Sequence, residues 1–266
     1  MLDELLGLQG EKAVVVGGGY GTGRLTALLL AQAGALVAVV DIDAARATSV
    51  AEETGGQAIV ADVTTPTGAQ MAIDEARERL GGLTRVANIV GLVDQRPFLE
   101  TDPAFWDAQL GLNFFAQLHV CHAAGRHMVE AGQGVIAMVA SVSGFYGARN
   151  QAVYGAAKAG VMSLARTLAD EWGPHGVRVN CVAPDITAVP RLIENMPGDE
   201  EEVLATFDAM ASAEGVPLRR FGRAHEIAGP LLFLLSDLSS YMTGQTLVVD
   251  GGTMVHFPHR TTFDTA

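Results

Sequence analysis

The sequence has little cysteine and no excess of basic charge, and both shortages narrow the range of functions. Its two cysteines, Cys121 and Cys181, lie in apolar segments, where a reduced thiol packs as a small hydrophobic group, so no disulfide framework is expected. Seventeen basic residues against 30 acidic ones leave a formal charge of −13, which repels phosphate backbones and anionic membranes. Nucleic acid is therefore not an expected partner.

Segments that target or anchor a chain are also missing from the sequence. The first ten residues, MLDELLGLQG, lack the basic region and the small-residue cleavage site of a secretory signal. The apolar stretch 27–40 is interrupted by Gln32 and Gly34 and is shorter than the roughly 20 residues that span a membrane. We therefore expect a cytoplasmic protein that contacts no membrane.

Linkers, internal repeats and low-complexity tracts are absent from the 266 residues as well. A chain of this length can bury one sizeable core, so we expect a single domain over residues 1–266. The least regular stretch, about 185–217, contains several prolines and the acidic cluster 199–202. Long loops of this kind often close over a binding site, so we expect a substrate lid here, with a solvated surface excursion as the alternative.

What the sequence does have is a regular alternation of apolar strands and amphipathic helices. The predicted strands cover 13–16, 36–40, 57–61, 85–90, 134–139, 178–182 and 246–249, and the predicted helices cover 22–33, 68–80, 104–130, 152–172 and 225–235. Alternation of this kind predicts an α/β fold, in which helices cover both faces of a parallel sheet. We expect a Rossmann-like, doubly wound parallel sheet of about seven strands.

A glycine-rich turn joins the first strand to the first helix. It reads Gly17-Gly18-Gly19-Tyr20-Gly21-Thr22-Gly23. Glycines let the backbone turn tightly and approach a ligand, and the N–H groups at the start of a helix face an anion such as a pyrophosphate. Because the turn opens a βαβ unit, it predicts a dinucleotide-binding site.

An acidic residue, Asp41, ends the second strand, where it can accept hydrogen bonds from the hydroxyls of an adenosine ribose. A 2′-phosphate would meet a like charge there, and neither Ile42 nor Asp43 offers a cation. NAD is therefore expected rather than NADP, with Ile42 beside the adenosine. The alternative is that Asp41 only caps the helix that begins near Ala44.

Two further strand ends complete the predicted cofactor site. Asp62 and Val63 follow the third strand, where a carboxylate and an apolar side chain can flank an adenine ring. Asn88 and Gly91 follow the fourth strand, at the carboxyl edge where open α/β sheets bind ligands. No metal site is expected, because the histidines of the predicted helix 104–130 lack convergent carboxylates or cysteines.

Ser141, Tyr154 and Lys158 form the predicted catalytic set. Tyr154 and Lys158 are four positions apart in a helical pattern, so both project from one helix face. An adjacent ammonium favours the ionised phenol, which makes Tyr154 a candidate general acid and base. Ser141 ends the fifth predicted strand and can hold a substrate oxygen by a hydrogen bond.

Taken together, these motifs resemble the short-chain dehydrogenase/reductase family over nearly the whole chain. The family's glycine motif corresponds to Gly17-x-x-x-Gly21-x-Gly23, its Asn-Asn-Ala-Gly element to Asn88-Ile89-Val90-Gly91, and its Tyr-x-x-x-Lys motif to Tyr154 and Lys158. The resemblance implies that Asn113 helps to hold a water that links the lysine to solvent, and that the chain forms a homotetramer. It also implies that Lys158 binds the nicotinamide ribose and lowers the pKa of the tyrosine.

The chain departs from the family pattern at four places. Val16 replaces a threonine before the first glycine, and Ile89-Val90 replaces Asn-Ala. Asp185 replaces the glycine after Pro184, and Val189 stands where a threonine is expected. The contacts of Pro184 to the nicotinamide carboxamide are therefore open, with Thr187 as a substitute donor.

The resemblance implies an NAD-dependent oxidoreductase that interconverts a secondary alcohol and a ketone. An apolar or cyclic substrate is expected from four apolar residues in or near the predicted loops, Phe145, Tyr146, Leu192 and Phe207. Two alternatives stay open: an NADPH-dependent ketoacyl reductase, which Asp41 disfavours, and a dinucleotide-binding protein without turnover. Enoyl reduction is less expected, because that branch of the family spaces its tyrosine and lysine more widely.

Overall fold

The computed structural model describes residues 2–255; residue 1 and residues 256–266 of the predicted domain lie outside the described residues. The strands are β1 (Lys12–Val16), β2 (Leu36–Asp41), β3 (Gln57–Val60), β4 (Arg85–Asn88), β5 (Gly134–Val139), β6 (Val177–Pro184), β7 (Thr187–Ala188), β8 (Gly222–Arg223) and β9 (Thr246–Val249). Seven of them form one parallel sheet in the order β3-β2-β1-β4-β5-β6-β9. The short strands β7 and β8, which were not predicted, pair separately.

The α-helices alternate with these strands. They are α1 (Leu2–Leu6), α2 (Gly21–Gln32), α3 (Ala44–Thr54), α4 (Pro66–Leu80), α5 (Pro103–Leu110), α6 (Ala116–Ala131), α7 (Ala152–Trp172), α8 (Pro190–Glu194), α9 (Glu200–Glu214) and α10 (Ala224–Leu235). No helix within residues 2–255 combines the length and the apolar character that crossing a membrane requires.

The strands of the main sheet are buried on both faces. Val14 packs into a hydrophobic cluster with α4, α6 and α7, whereas its neighbour Val15 packs into a second cluster with α2, α3 and α10. Continuous apolar strands are typical of parallel sheets that carry helices on both sides. The predicted Rossmann-like, doubly wound sheet of seven strands is therefore confirmed.

The long helix predicted over 104–130 is interrupted. α5 ends at Leu110 and α6 begins at Ala116, and the residues between them, Gly111–Phe115, form a π-helical turn. Such turns are rare in proteins and occur frequently at functional sites. Asn113 lies in this turn with its side chain fully buried and directed at the loop after β4.

The region 185–217 is more regular than the sequence suggested. It contains β7, α8 and the 15-residue helix α9, so the expectation of an irregular loop was wrong. Asp199 accepts a hydrogen bond from the backbone N–H of Glu202 at 3.0 Å and thereby caps α9. The acidic cluster is the first turn of this helix, where the helix dipole favours negative charge.

Together with Phe221, this region encloses a small hydrophobic cluster made of Ala188, Val203, Phe207, Ala211, Val216 and Phe221. From the sequence, Phe207 could either face a substrate or pack within the loop. The structure has it packed, since Phe207 is only 8% exposed and its ring centroid lies 6.0 Å from that of Phe221. Asp208 of α9 also pairs with Arg223, at 3.0 and 2.9 Å from the guanidinium nitrogen to the two carboxylate oxygens, which ties α9 to the start of α10.

Candidate active site

Ser141, Tyr154 and Lys158 meet at the carboxyl edge of the main sheet. Ser141 lies just beyond β5, where its hydroxyl accepts a hydrogen bond from the N–H of Ser143 at 3.2 Å. Tyr154 and Lys158 lie one turn apart near the start of α7, which packs on the turn that follows Ser141. The phenol of Tyr154 is within hydrogen-bonding reach of Ser141. The structure thus brings the three predicted residues together.

Burial controls the charge state of the Tyr154 phenol. It raises the pKa of Tyr154 above the ordinary value of 10.0, and the hydrogen bond from Ser141 offsets only part of that rise. The lowering of this pKa by Lys158, which the family resemblance implies, stays a prediction. In the structure the ammonium lies 5.6 Å from the centroid of the tyrosine ring and donates to the carbonyl of Val139 at 2.9 Å. Tyr154 therefore keeps its proton at neutral pH.

Lys158 is a buried cation. The residue is 2% exposed, and its removal from water lowers the pKa of its ammonium to about 8. Gly91 leaves room for the ammonium, since a Cβ added there would lie 2.7 Å from Nζ of Lys158 and 3.0 Å from Oδ1 of Asn113. Gly91 and Asn113 therefore border the same cation, at the end of β4 and in the π-helical turn.

Asn113 uses its side-chain amide to fasten the loop after β4. Its Oδ1 accepts a hydrogen bond from Leu92 N–H at 2.9 Å, and its Nδ2 donates to the carbonyls of Leu92 (2.9 Å) and Gln109 (3.0 Å). The buried side chain of Gln109 accepts from the N–H of Asp94 at 3.4 Å and was not singled out from the sequence. A relay water at Asn113 stays a prediction, although the residue does lie beside Lys158.

The glycine-rich turn has the bare backbone that a pyrophosphate requires. Gly17 (φ +77°) and Gly21 (φ +52°) are in the left-handed region, where a side chain is strained. A Cβ added at Gly23 would lie 1.9 Å from the carbonyl oxygen of Gly17. Thr22 lies in the first turn of α2, which starts at Gly21. A dinucleotide therefore fits this turn, with the N-terminus of α2 directed at its phosphates.

Asp41 shapes this turn directly. One carboxylate oxygen accepts a hydrogen bond from the N–H of Gly19 at 2.9 Å, and the other accepts from the N–H of Asp43 at 3.0 Å. The cap of α3 is Asp43, which accepts from the N–H groups of Ala45 (2.9 Å) and Arg46 (3.1 Å). The alternative that Asp41 is merely the helix cap is therefore wrong.

A cation that the sequence did not single out, Arg46, lies over the glycine-rich turn. The guanidinium carbon of Arg46 is 4.6 Å from the ring centroid of Tyr20 in the glycine-rich turn. Burial, together with the nearby carboxylate of Glu194 in α8, raises the pKa of Tyr20 to about 12. Arg46 was missed because only the exact start of α3 shows that its side chain points back to the turn.

The other predicted cofactor residues lie at the carboxyl edge of the sheet, but several of their side chains already form hydrogen bonds or packing contacts within the protein. Asp62 accepts hydrogen bonds from the N–H (2.9 Å) and the hydroxyl (2.6 Å) of Thr64, so it caps the turn after β3. Val63 is 5% exposed and packs in the core. The fully buried Asn88 donates to the carbonyl of Ala116 at 3.3 Å and thus faces α6.

Three further predicted residues differ in their accessibility. Ile42 is 70% exposed beside Asp41. Pro184 ends β6 at the carboxyl edge of the sheet. Thr187 lies in β7, and its hydroxyl donates to the carbonyl of Asp185 at 2.9 Å, so this hydroxyl already has a backbone partner.

Three of the four apolar residues expected near a substrate are exposed on the surface. Phe145 (46%), Tyr146 (42%) and Leu192 (42%) are all substantially exposed, in agreement with an apolar surface for a ligand. Burial and the negative charges of Asp185 and Asp250 raise the pKa of Tyr146. Tyr146 therefore presents a neutral phenol beside two carboxylates.

Comparison with known proteins adds independent information. A family model described as enoyl-(acyl carrier protein) reductase matches residues 17–254. The chain is 35% identical to the 2-keto-3-deoxy-L-fuconate dehydrogenase of Xanthomonas campestris, over 92% of this chain and 80% of the relative. It is 31% identical to the 3-oxoacyl-(acyl-carrier-protein) reductase of Thermotoga maritima, over 93% and 99%. The structure of a 7α-hydroxysteroid dehydrogenase complexed with NADH and 7-oxo glycochenodeoxycholic acid superposes with a TM-score of 0.83 at 30% identity, covering 95% of this chain and 97% of that one.

Proposed function

Because this chain belongs to the short-chain dehydrogenase/reductase family and is an oxidoreductase with a nicotinamide dinucleotide cofactor, we propose that it interconverts a secondary alcohol and a ketone with NAD. One observation carries the proposal: the phenol of Tyr154 lies within reach of Ser141 at the carboxyl edge of the sheet, with the buried ammonium of Lys158 near its ring. A phenol and a hydroxyl placed in this way can hold one substrate oxygen from two sides.

The residues of the chain would supply the proton and the orientation. The bound nicotinamide supplies the hydride chemistry. The Ser141 and Tyr154 hydroxyls hold the substrate oxygen, and the Tyr154 phenol gives its proton to that oxygen during ketone reduction. Its raised pKa keeps this proton in place at neutral pH. Loss of this proton leaves a phenolate, which the charge of Lys158 stabilises, and in alcohol oxidation this phenolate takes the proton of the alcohol.

On the cofactor side, the glycine-rich turn would hold the pyrophosphate and Asp41 the adenosine ribose, with Ile42 and Val63 near the adenine. The preference for NAD rests on the charge of Asp41 and is supported by the NADH bound to the similar hydroxysteroid dehydrogenase. The alternative, an NADPH-dependent ketoacyl reductase, gains support from Arg46 beside the site and from the Thermotoga maritima relative. Gly91, Asn113, Pro184 and Thr187 would border the nicotinamide half.

The substrate we propose is a small apolar or cyclic alcohol or ketone. Support comes from the exposed Phe145, Tyr146 and Leu192, and from the 7-oxo glycochenodeoxycholic acid in complex with the similar hydroxysteroid dehydrogenase. We further propose that residues 1–266 form one domain in which 185–217 acts as the lid, and that the chain works as a homotetramer in the cytoplasm. The four-residue spacing of Tyr154 and Lys158 favours carbonyl reduction over the enoyl reduction in the description of the family model.

The Tyr154→Phe variant tests the proposed reaction. It removes the proton donor and keeps the ring, so turnover of any alcohol or ketone that the wild type accepts should fall by about 10²- to 10⁴-fold. Binding of NADH, followed by its fluorescence, should change little. Tyr241→Phe is the matched control, because Tyr241 is fully exposed and far from the cleft in sequence.

A screen of secondary alcohols with NAD⁺, read by absorbance of the reduced cofactor, supplies the substrate for this comparison. Turnover in Tyr154→Phe equal to that of the wild type would contradict the assigned role. A wild type that binds NADH but oxidises no alcohol in the panel would favour a binding protein without turnover.

A further inference from the structure

A positively charged side chain, that of Arg96, lies near the proposed catalytic tyrosine. Arg96 and Tyr154 line the same narrow, closely packed recess between the loop after β4 and the start of α7. The recess also includes Phe105 of α5 and Asn150, which precedes α7. The loop after β4 thus brings Arg96 to the same recess as Tyr154, although the two residues are well separated in sequence.

The loop that carries Arg96, residues 91–96, is held in place by its backbone. The backbone N–H of Leu92 donates to Asn113 Oδ1, and the carbonyl of Leu92 accepts from Asn113 Nδ2, both at 2.9 Å. The N–H of Asp94 donates to Gln109 Oε1 at 3.4 Å, and the N–H of Arg96 donates to the carbonyl of Asn150 at 2.8 Å. Two of these partners, Asn113 and Gln109, are buried polar residues. The position of Arg96 is therefore set by the core of the protein, even though the loop itself is exposed.

The guanidinium of Arg96 is oriented but not enclosed. Its central carbon lies 4.5 Å from the ring centroid of Phe105, and Nη2 lies 3.3 Å from a carboxylate oxygen of Asp94. The two charged side chains are 43% and 50% exposed. An ion pair so exposed contributes little net energy, so another carboxylate can replace Asp94 at modest cost.

We propose that Arg96 selects substrates that carry a carboxylate, so that the natural substrate is a hydroxy acid or the corresponding oxo acid. This inference rests on the proposed alcohol–ketone reaction. A guanidinium binds a carboxylate through two parallel hydrogen bonds, which fixes the orientation of the bound group. The whole chain, with its formal charge of −13, repels anions at long range, so a local cation beside Tyr154 gives an anionic substrate its binding energy. Asp94 holds the guanidinium in position and competes with the substrate for it.

The test compares hydroxy acids with their methyl esters, which differ in the charge alone at nearly the same size. Wild-type protein is assayed with NAD⁺ on 2-, 3- and 4-hydroxy acids that have short apolar chains, and on the methyl ester of each. We expect kcat/KM for the best acid to exceed that for its ester by about tenfold or more. If neither acids, esters nor other secondary alcohols react, the proposed function fails. If esters react as well as or better than acids, only the inference about Arg96 fails.

Two variants with opposite expected effects separate recognition from structural support. Arg96→Gln should lower kcat/KM for the acid by about 10- to 100-fold, mainly through KM, and change the value for the ester by less than about threefold. Arg96→Lys, which keeps the charge without the planar fork, should fall between Arg96→Gln and the wild type. Asp94→Asn should lower KM for the acid, because it removes the competing carboxylate.

Arg126→Gln is the matched control for the loss of one positive charge, since Arg126 is exposed on α6. Melting temperatures of all variants show whether the fold is retained. If Arg96→Gln slows the acid and the ester by the same factor, or if Asp94→Asn weakens the acid as Arg96→Gln does, the pair only supports the loop and the proposal is overturned.

Discussion

At the scale of single residues, the carboxylate of Asp41 combines a structural and an electrostatic role. It accepts hydrogen bonds from the N–H groups of Gly19 and Asp43, and so braces the glycine-rich turn against the end of β2. Its charge also faces the place where the adenosine ribose is proposed to bind. The guanidinium of Arg46 lies over Tyr20 in the same turn and pairs with Asp43 at 3.6 Å.

The Asp41→Asn variant should therefore shift the choice of dinucleotide. The amide keeps an acceptor oxygen but loses the charge that opposes a 2′-phosphate, so Kd for NADPH should fall by about tenfold and Kd for NADH should rise severalfold. Fluorescence titration with both reduced cofactors gives the ratio. The control is Asp170→Asn, which also removes one negative charge, but from the exposed side of α7 instead of the glycine-rich turn. An unchanged ratio in Asp41→Asn would refute the assigned role of this carboxylate.

Sequence reasoning located Ser141, Tyr154 and Lys158 because their positions depend on local rules. A residue at the end of a parallel strand faces the carboxyl edge, and residues four apart on a helix share a face. Arg46 and Arg96 could not be found in this way. Their positions depend on where a helix starts and on how an exposed loop is fastened to buried amides, which are tertiary features.

At the scale of elements, the start of α10 is held by a compact ionic cluster. Glu226 accepts hydrogen bonds from Arg220 at 2.7 and 2.6 Å and from the N–H of Arg223 at 2.8 Å. These bonds, above all those from Arg220, lower the pKa of Glu226 to about 2, although burial acts in the other direction. The cluster joins α10 to the segment that follows α9.

Glu226→Gln should destabilise the fold in a pH-dependent manner. The folded-state pKa of about 2 lies below the ordinary value of 4.5, so the stabilisation is present above pH 4.5 and is lost as the pH falls toward 2. With allowance for partial exposure, we expect the variant to lose about 1–2 kcal/mol of unfolding free energy at pH 7.

Denaturant unfolding at pH 7 and at pH 3 measures the effect, and the gap between wild type and variant should narrow at the lower pH. Glu78→Gln, an exposed position on α4, serves as the control. A gap that stays constant or widens on acidification would argue against the ionic origin of this stabilisation.

The region 185–217 shows why one helix, α9, escaped prediction. Prolines and the run of acidic residues at 199–202 suggested a loop. The same acidic residues are suited to the first turn of a helix, and Val203, Phe207 and Ala211 follow at helical spacing. The helix could be read from that spacing, but the direction of Phe207 toward Phe221 depends on packing inside the lid.

At the scale of the whole molecule, the two cysteines report on the integrity of the core. Cys121 of α6 and Cys181 of β6 are at most 1% exposed, and they contact the central layer between the sheet and its helices. Burial raises the pKa of Cys181 to about 12 and raises the pKa of Cys121 in the same direction. Neither thiol is accessible or ionised in the folded protein.

Labelling with a thiol reagent should therefore follow global unfolding. We expect essentially no reaction of the native protein at pH 7 over the time in which denatured protein gives two thiols per chain. The absorbance of the released reagent anion measures both states. Rapid labelling of one thiol in the native protein, with the melting temperature unchanged, would show that part of this layer opens locally.

The parallel sheet and the two helical layers followed from the alternation of apolar segments, because a parallel sheet must be covered on both faces. The order of the strands was not predicted and comes from the structure. The break between α5 and α6 did not, since a π-helical turn leaves no simple periodic signature in a short window.

The hydrophobic cluster around Phe207 makes the region 185–217 partly independent of the main sheet. Since Val203, Phe207 and Ala211 pack chiefly against residues of the same region, changes on the outer surface of α8 and α9 leave the seven-stranded sheet intact. The region 185–217 can therefore be exchanged between related chains, provided that Asp208 is kept, because Asp208 pairs with Arg223 at the start of α10. Recombination at its borders would have to keep Glu194 as well, because this carboxylate in α8 acts on Tyr20 of the glycine-rich turn.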